Sequence, residues 1–437
     1  MGPRNTHSRE IEKRARKIVP GGVMSNFKKQ EDFHPTYMTH GQGARIFDAD
    51  GNEYIDYSLS YGPAILGHNN EHLMQALEKQ VRSLYSSETT ELGFVAAEKV
   101  SRHVPSAQMV RFANSGTEAN YNALRVARGY TGKNMVVRFN GHYHGGLDTI
   151  LGGLVTNNEN PIPIAAEREE DFWSQFVQTA GRAKHALNDC FMVEWNDLPA
   201  LEKLLVQNGN DIAAVLMEPV MVNLAGCRPE PGYLEAVREL CTRHHIVLIF
   251  DEVLTGFRMG LSGAQGHFQV TPDMTTFAKA LGGGMPVSAF CGKQEIMDVI
   301  TKTEVVAGGT YNGHPMAMAA VIATIEELEK DEGAAFRHID KMGTMLKDGL
   351  DKIAEDRGLN LLLQGFPGAW TYTFTNRNKI INHKEALQSD IIKTMRFASL
   401  LKEKGVLTTL RICTSVAHTE GDVQETLNRA DDVMKIM

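Results

Sequence analysis

His245-Ile246-Val247-Leu248-Ile249-Phe250-Asp251-Glu252 is a short apolar, β-branched run that stops at two acids. A run of this length and composition reads as a buried strand. An acid at its carboxyl end faces the crevice where open α/β sheets hold their ligands. Further along, Thr276-Phe277-Ala278-Lys279-Ala280-Leu281-Gly282-Gly283-Gly284 sets one lysine among small and apolar residues just before a glycine run. Such surroundings disfavour an ammonium, and a neutral amine can attack a carbonyl to form a Schiff base. Taken alone, this lysine reads as one that snorkels at the edge of a core. Its neighbours in the sequence argue for more.

Upstream, Gln108-Met109-Val110-Arg111-Phe112-Ala113 is another strand candidate, followed by Asn114-Ser115-Gly116-Thr117-Glu118-Ala119-Asn120 and a helical pattern. Ser and Thr at a helix start, with Gly for close approach, make an anion cradle from backbone N–H groups and the helix dipole. A strand-end acid, a phosphate cradle and a nested lysine together point to a phosphorylated aldehyde cofactor. Pyridoxal 5′-phosphate (PLP) needs an amine to hold its aldehyde, a carboxylate to keep its pyridine nitrogen protonated, and a phosphate anchor.

The 437 residues, 42% hydrophobic and 22% charged, suit one large α/β domain plus a smaller one and exclude disordered and fibrous classes. A net charge of −8 without a long basic run leaves no footprint for nucleic acid or an anionic membrane. No apolar run reaches the roughly 18 residues that a membrane span needs. Met1 to Lys17 is polar and lacks the apolar stretch of a secretory signal, so a cytoplasmic protein is expected. The cysteines Cys190, Cys227, Cys241, Cys291 and Cys413 are scattered and read as small buried hydrophobes. His142-x-His144 and His244-His245 have no acid or cysteine cluster to complete a metal site, so no metal is expected.

Residues 8–19 have helical spacing, broken at Pro20-Gly21-Gly22-Val23, and an irregular segment runs to about Pro35. Tyr37 to Ile55 alternates in the manner of a small antiparallel sheet, with a turn at Asp48-Ala49-Asp50-Gly51-Asn52, and Glu71 to Ser83 is an amphipathic helix. Met109–Ala113, Met135–Phe139, Phe191–Glu194, Ala214–Met217, Ile246–Phe250 and Val287–Cys291 are strand candidates between helical patterns, which predicts a mostly parallel sheet flanked by helices. Residues 154–188 interrupt this rhythm with a polar loop and a helix-like stretch around Glu170–Lys184, either a cover for a site or a surface excursion. A long helix from Pro315 to Lys330 leads into an α+β region with strand candidates Leu361–Gln364, Ala369–Phe374 and Leu407–Ile412. The expected division is an N-terminal segment over 1–66, a large cofactor-binding domain over 67–325 and a small C-terminal domain over 326–437.

The sequence resembles the class III PLP-dependent aminotransferases, and within them the branch that includes glutamate-1-semialdehyde aminomutase. The resemblance rests on Pro20-Gly21-Gly22-Val23, the stretch Asp48 to Tyr57, Ser115-Gly116-Thr117-Glu118-Ala119, Gly141-His142-Tyr143-His144-Gly145, Asp251 to Arg258, and Gly308 to Pro315. It implies an aspartate-aminotransferase-like PLP fold and a homodimer with a shared active site. It implies that Lys279 forms the Schiff base and then shuttles a proton, while Asp251 pairs with the ring nitrogen. Ser115, Gly116 and Thr117 would hold the phosphate, Tyr143 would stack on the ring, and Thr310 would reach the neighbouring subunit's phosphate. Asn223 matches an asparagine near the phenolic oxygen, with Glu218 before it at a strand end.

Two positions depart from the aminomutase pattern. Lys28 stands where that branch has an arginine for the substrate carboxylate, and a lysine lacks the bidentate fork. Thr408-Thr409-Leu410-Arg411-Ile412 replaces a segment that carries an acid, so Arg411 reads as an anion contact or as an ordinary surface arginine. The expected activity is therefore transamination between a small anionic amino compound and a carbonyl acceptor. The alternatives are an aminomutase, or an ammonia- or phospho-lyase on an amino alcohol phosphate or phosphonate. A catalytically silent PLP-binding protein is disfavoured by the presence of both Lys279 and Asp251, and a nicotinamide enzyme by the missing glycine fingerprint.

Overall fold

Ile212–Met217 and Val247–Asp251 are buried along their whole length. Continuous apolar runs of this kind form strands covered on both faces, which places them at the centre of a parallel sheet. Alternation then divides them: Leu248 and Phe250 face one core, Val247 and Ile249 the other. The computed structural model describes residues 5–28, 36–151, 181–183 and 186–437. The 154–188 insertion falls largely outside them.

The large sheet has seven strands in the order Met109–Ala113, Ser288–Gly292, Met274–Phe277, Val247–Asp251, Ile212–Met217, Met135–Phe139 and Cys190–Val193. Ser288–Gly292 is antiparallel to both neighbours, and the other pairings are parallel. The expected strands agree with these within one or two residues, but Met274–Phe277 was not foreseen. Its two threonines break the apolar signature because their hydroxyls are bonded inside the core, Thr275 to Ser106 and Gln265 and Thr276 to Asn120. The helix Gly116–Thr131 starts at Ser115, whose Oγ accepts from Glu118 N at 3.2 Å, and stops at Gly132 in a left-handed conformation (φ 70°).

Met38–Gln42, Arg45–Asp48 and Glu53–Asp56 form the expected antiparallel sheet. Its fourth strand, Val406–Leu407, comes from the far end of the chain and pairs parallel with Glu53–Asp56. The stretch expected as one strand, Leu407–Ile412, is thus divided. Leu410 is left-handed (φ 58°), and Arg411–Cys413 joins Leu361–Phe366 and Ala369–Phe374 in a separate antiparallel sheet. The helix from Pro315 continues to Asp356, beyond the expected end at Lys330, but Asp331, Glu332 and Gly333 turn left-handed at that point. Arg337 holds the break, donating to the Asp331 and Glu332 carbonyls at 2.8 and 2.7 Å. Among the described residues no helix is long and apolar enough to cross a membrane.

Gly343 lies where this helix meets the C-terminal sheet, and a Cβ there would come 1.7 Å from the Pro367 carbonyl oxygen. Gly343→Ala is expected to destabilise the protein by about 1–3 kcal/mol through overpacking. Gly93→Ala, in a helix with open space around it, is expected to gain up to about 1 kcal/mol. Urea midpoints of the two variants check both signs.

Candidate active site

The carboxyl ends of the central strands converge on Asp251, which is 3% exposed. Its Oδ2 accepts from Asn120 Nδ2 and from His144 Nδ1, both at 2.7 Å, and its Oδ1 accepts from Val253 N at 3.0 Å. Burial lowers the pKa of His144, so the neutral ring donates through Nδ1. Asn120 is itself fixed, its Oδ1 accepting from Thr276 Oγ1 at 2.7 Å and its Nδ2 also reaching the His144 carbonyl. Oδ1 of Asp251 keeps room for one further donor.

Lys279 follows the strand Met274–Phe277 in a left-handed conformation (φ 47°) that opens a short 3-10 turn. The residue retains some accessible surface, as it must at the wall of a crevice, while its amine is enclosed by protein. Desolvation, seconded by the Arg411 charge and opposed by Glu218 and Asp251, lowers its pKa to about 8.

Glu218 lies just past Ile212–Met217. Its Oε1 accepts from Tyr143 N at 2.7 Å and Asn223 Nδ2 at 2.9 Å, and its own N–H donates to His142 Nδ1 at 2.9 Å. Burial, then the Asp251 charge, raises its pKa to about 7. Asn223 turns its other amide atom to Arg411, whose Nη1 donates to Asn223 Oδ1 at 3.4 Å. Arg411 is 9% exposed and has no carboxylate partner among the described residues. It is no surface arginine.

Ser115, Gly116 and Thr117 open the helix Gly116–Thr131. The N–H groups of Gly116 and Thr117 have no bonded partner among the described residues, as the first turn of a helix dictates. Val253 fills the space where a Gly116 Cβ would go, at 3.0 Å, and a Cβ on Gly145 would meet Thr117 Oγ1 at 2.4 Å. Both glycines let backbone close around the turn. Orphan N–H donors at a helix start, a spare acceptor on a buried carboxylate and a desolvated amine fit a phosphorylated, nitrogen-containing ring aldehyde.

The structure therefore brings together Lys279, Asp251, Glu218, Asn223, Arg411, Tyr143 and the Ser115–Thr117 turn. Lys28 is not among them by any described contact. It is exposed, in the turn Asn26–Lys28, while its neighbour Phe27 packs edge-on against Tyr143 at 5.6 Å and Tyr61 at 6.4 Å. Thr310 is exposed on a loop bonded through its carbonyl to Ser87 Oγ and, through Asn312, to Asn114. Sequence reasoning missed Asn120, His144 and Thr276 around Asp251. The one available signal was Asn120 inside a helix, where an asparagine competes with the backbone unless its amide has a partner. No group of three metal-ligating side chains occurs among the described residues.

The aminotransferase class-III family model matches residues 26–429. The chain belongs to this family. A glutamate-1-semialdehyde 2,1-aminomutase of Alkaliphilus oremlandii is 39% identical, over 98% of this chain and 99% of that protein. The enzyme of the same name from Acetivibrio thermocellus is 38% identical, over 97% and 96%. Among solved structures, an omega-transaminase from Sphaerobacter thermophilus superposes with a TM-score of 0.88 at 28% identity, covering 98% of this chain and 97% of that one. A glutamate-1-semialdehyde aminomutase from Pseudomonas aeruginosa PAO1, in complex with PMP, does so at 0.86 and 26%, covering 98% and 94%.

The raised pKa of Glu218 has a consequence for stability. The folded state holds this proton more tightly than the unfolded chain, whose ordinary value is 4.5. The contribution is therefore full below about 4.5 and lost as pH rises through about 7. Glu218→Gln removes it, so the variant should gain on the parent by on the order of 1–3 kcal/mol between pH 4.5 and 7.5. Urea unfolding of both proteins across that range measures the difference.

Proposed function

We propose that this class III enzyme is an aminotransferase whose amino substrate carries a carboxylate. The cofactor is pyridoxal 5′-phosphate. Bound in the site, it supplies an aldehyde to carry the amino group and an electron sink for the bond that breaks. Lys279 would hold the aldehyde and could move a proton at Nζ; its pKa near 8 leaves part of it neutral at working pH. Asp251 would keep a proton on the ring nitrogen, Tyr143 would hold the ring, and the Ser115–Thr117 turn would bind the phosphate. Asn223 and Glu218, bonded to each other, would help to hold the ring.

Arg411 carries the substrate reading. A buried guanidinium that has, among the described residues, one long amide bond and no carboxylate partner is costly unless an anion arrives to complete it. Lys28, exposed in this structure, is left to a secondary role in drawing anions to the mouth of the site. The active site is completed by a second copy of the chain. The loop of Thr310 supports this, since it also displays Tyr311 at 62% and Val306 at 70% exposure, apolar surface suited to cover by a partner. The setting is the cytoplasm.

An aminomutase is the second reading, favoured by the names and 38–39% identity of the curated relatives. The two differ in one result. Holoenzyme mixed with single amino compounds should accumulate the pyridoxamine form of the cofactor and release a keto product if it is a transaminase. Intramolecular amine exchange with no released keto product would sink that reading.

Two substitutions test the residues. Lys279→Ala should abolish the borohydride-reducible link to the cofactor and lower kcat by at least about a thousandfold. Arg411→Ala should raise KM for carboxylate-bearing amines by roughly 10–100-fold, the worth of a charge-assisted pair, and leave amines without a carboxylate little changed.

A further inference from the structure

Arg258 is a second buried guanidinium, 1% exposed, and no carboxylate among the described residues pairs with it. Its bonds all go to backbone carbonyls from distant parts of the chain. Nη2 donates to Gly62 O at 2.5 Å, and Nη1 donates to Gly368 O at 3.1 Å and Thr414 O at 2.9 Å. Nε has no partner. Each acceptor adjoins the site. Gly62 is packed so closely that a Cβ on it would lie 3.2 Å from Leu254 and 3.8 Å from Cδ of Lys279. Thr414 directly follows Arg411–Cys413, and Gly368 precedes Ala369–Phe374, the strand paired with it. Arg258 itself lies seven residues beyond Asp251, in the same strand-end loop.

We propose that Arg258 is a positioning residue for substrate carboxylate recognition, acting through Arg411. This rests on the reading of Arg411 given above. A planar fork carries its donors on separate nitrogens and so reaches three carbonyls that a single ammonium nitrogen cannot span, tying the Asp251 loop, the Gly62 wall and the end of the Arg411 strand into one unit. Burial lowers the pKa of Arg258, and the like charge of Arg411 adds to this while Cys413 opposes it. Neither guanidinium has a carboxylate ion pair among the described residues, so an anion delivered to Arg411 would relieve that repulsion.

The test is a double-mutant cycle on the holoenzyme with two amines, one bearing a carboxylate and one matched amine without it. Arg258→Lys keeps the charge but cannot span the three carbonyls. It should raise KM for the carboxylate amine about tenfold, with kcat within about threefold and the other amine unaffected. In the Arg411→Ala background the same change should add little, because Arg258 acts through Arg411. Equal loss for both amines, additive effects, or a fall in kcat alone would overturn the proposal. If Arg411→Ala itself fails to separate the two amines, the substrate reading falls. If it separates them and Arg258→Lys does not, only the present inference falls. Arg258→Gln is the second variant should Arg258→Lys not fold, and failure of both to fold would make Arg258 a folding residue and end the proposal.

Discussion

A carboxylate buried at the end of a central strand is tolerable only if its surroundings stabilise its charge, and Asp251 is the point on which this site is built. Three donors from three elements meet on it: Asn120 from the helix Gly116–Thr131, His144 from the loop after Met135–Phe139, and the backbone of Val253. Asn120 is in turn fixed by Thr276, three residues before Lys279. One acid therefore sets the relative positions of the helix start, the loop that carries Tyr143 and the lysine. Losing any donor would leave a buried charge partly unpaired, which costs far more than an exposed pair is worth.

The same economy governs the loop that carries Tyr143. His142 accepts the Glu218 N–H, and Glu218 accepts the Tyr143 N–H, so two strand ends are joined by a reciprocal pair of bonds. Burial drives His142 well below its ordinary pKa, which suits an imidazole that must keep Nδ1 free to accept. His142-x-His144 thus has the spacing of a metal pair but spends each ring on a different neighbour, one on a backbone amide and the other on Asp251. The chemistry of these histidines is that of positioning.

What could be read in the sequence follows how local the cause is. Val247–Asp251 and Ile212–Met217 are legible because their burial comes from their own apolar residues, and Ser115-Gly116-Thr117 because a helix start needs only its own donors. Lys279 and Asp251 stood out as polar residues in apolar frames. Met274–Phe277 did not, because Thr275 and Thr276 are satisfied by partners more than a hundred residues away in Ser106 and Asn120. The division of Leu407–Ile412 between two sheets was equally hidden, since Val406–Leu407 becomes a strand only by pairing with Glu53–Asp56. Arg411 was left between surface and site for the same reason. It lies in a strand paired with Ala369–Phe374 and bonds to Asn223, 188 residues away, and nothing adjacent in the chain records either partner.

Charge balance within the crevice then carries the argument about substrate one step further. Arg411 and Arg258 are permanent cations, and Lys279 is cationic in part near its pKa of about 8. Against them stand Asp251, already committed to three donors, and Glu218, whose pKa near 7 leaves it only partly ionised at neutrality. A ligand anion at Arg411 would offset the excess. It would also lower the cost of burying that guanidinium, while favouring the ammonium form of Lys279 by weakening the field that opposes it. The binding of an anion at Arg411 and the protonation of Lys279 would in this way be coupled through one arginine. The Asn223 amide, which holds that arginine on one side and Glu218 on the other, lies at the junction of the two equilibria.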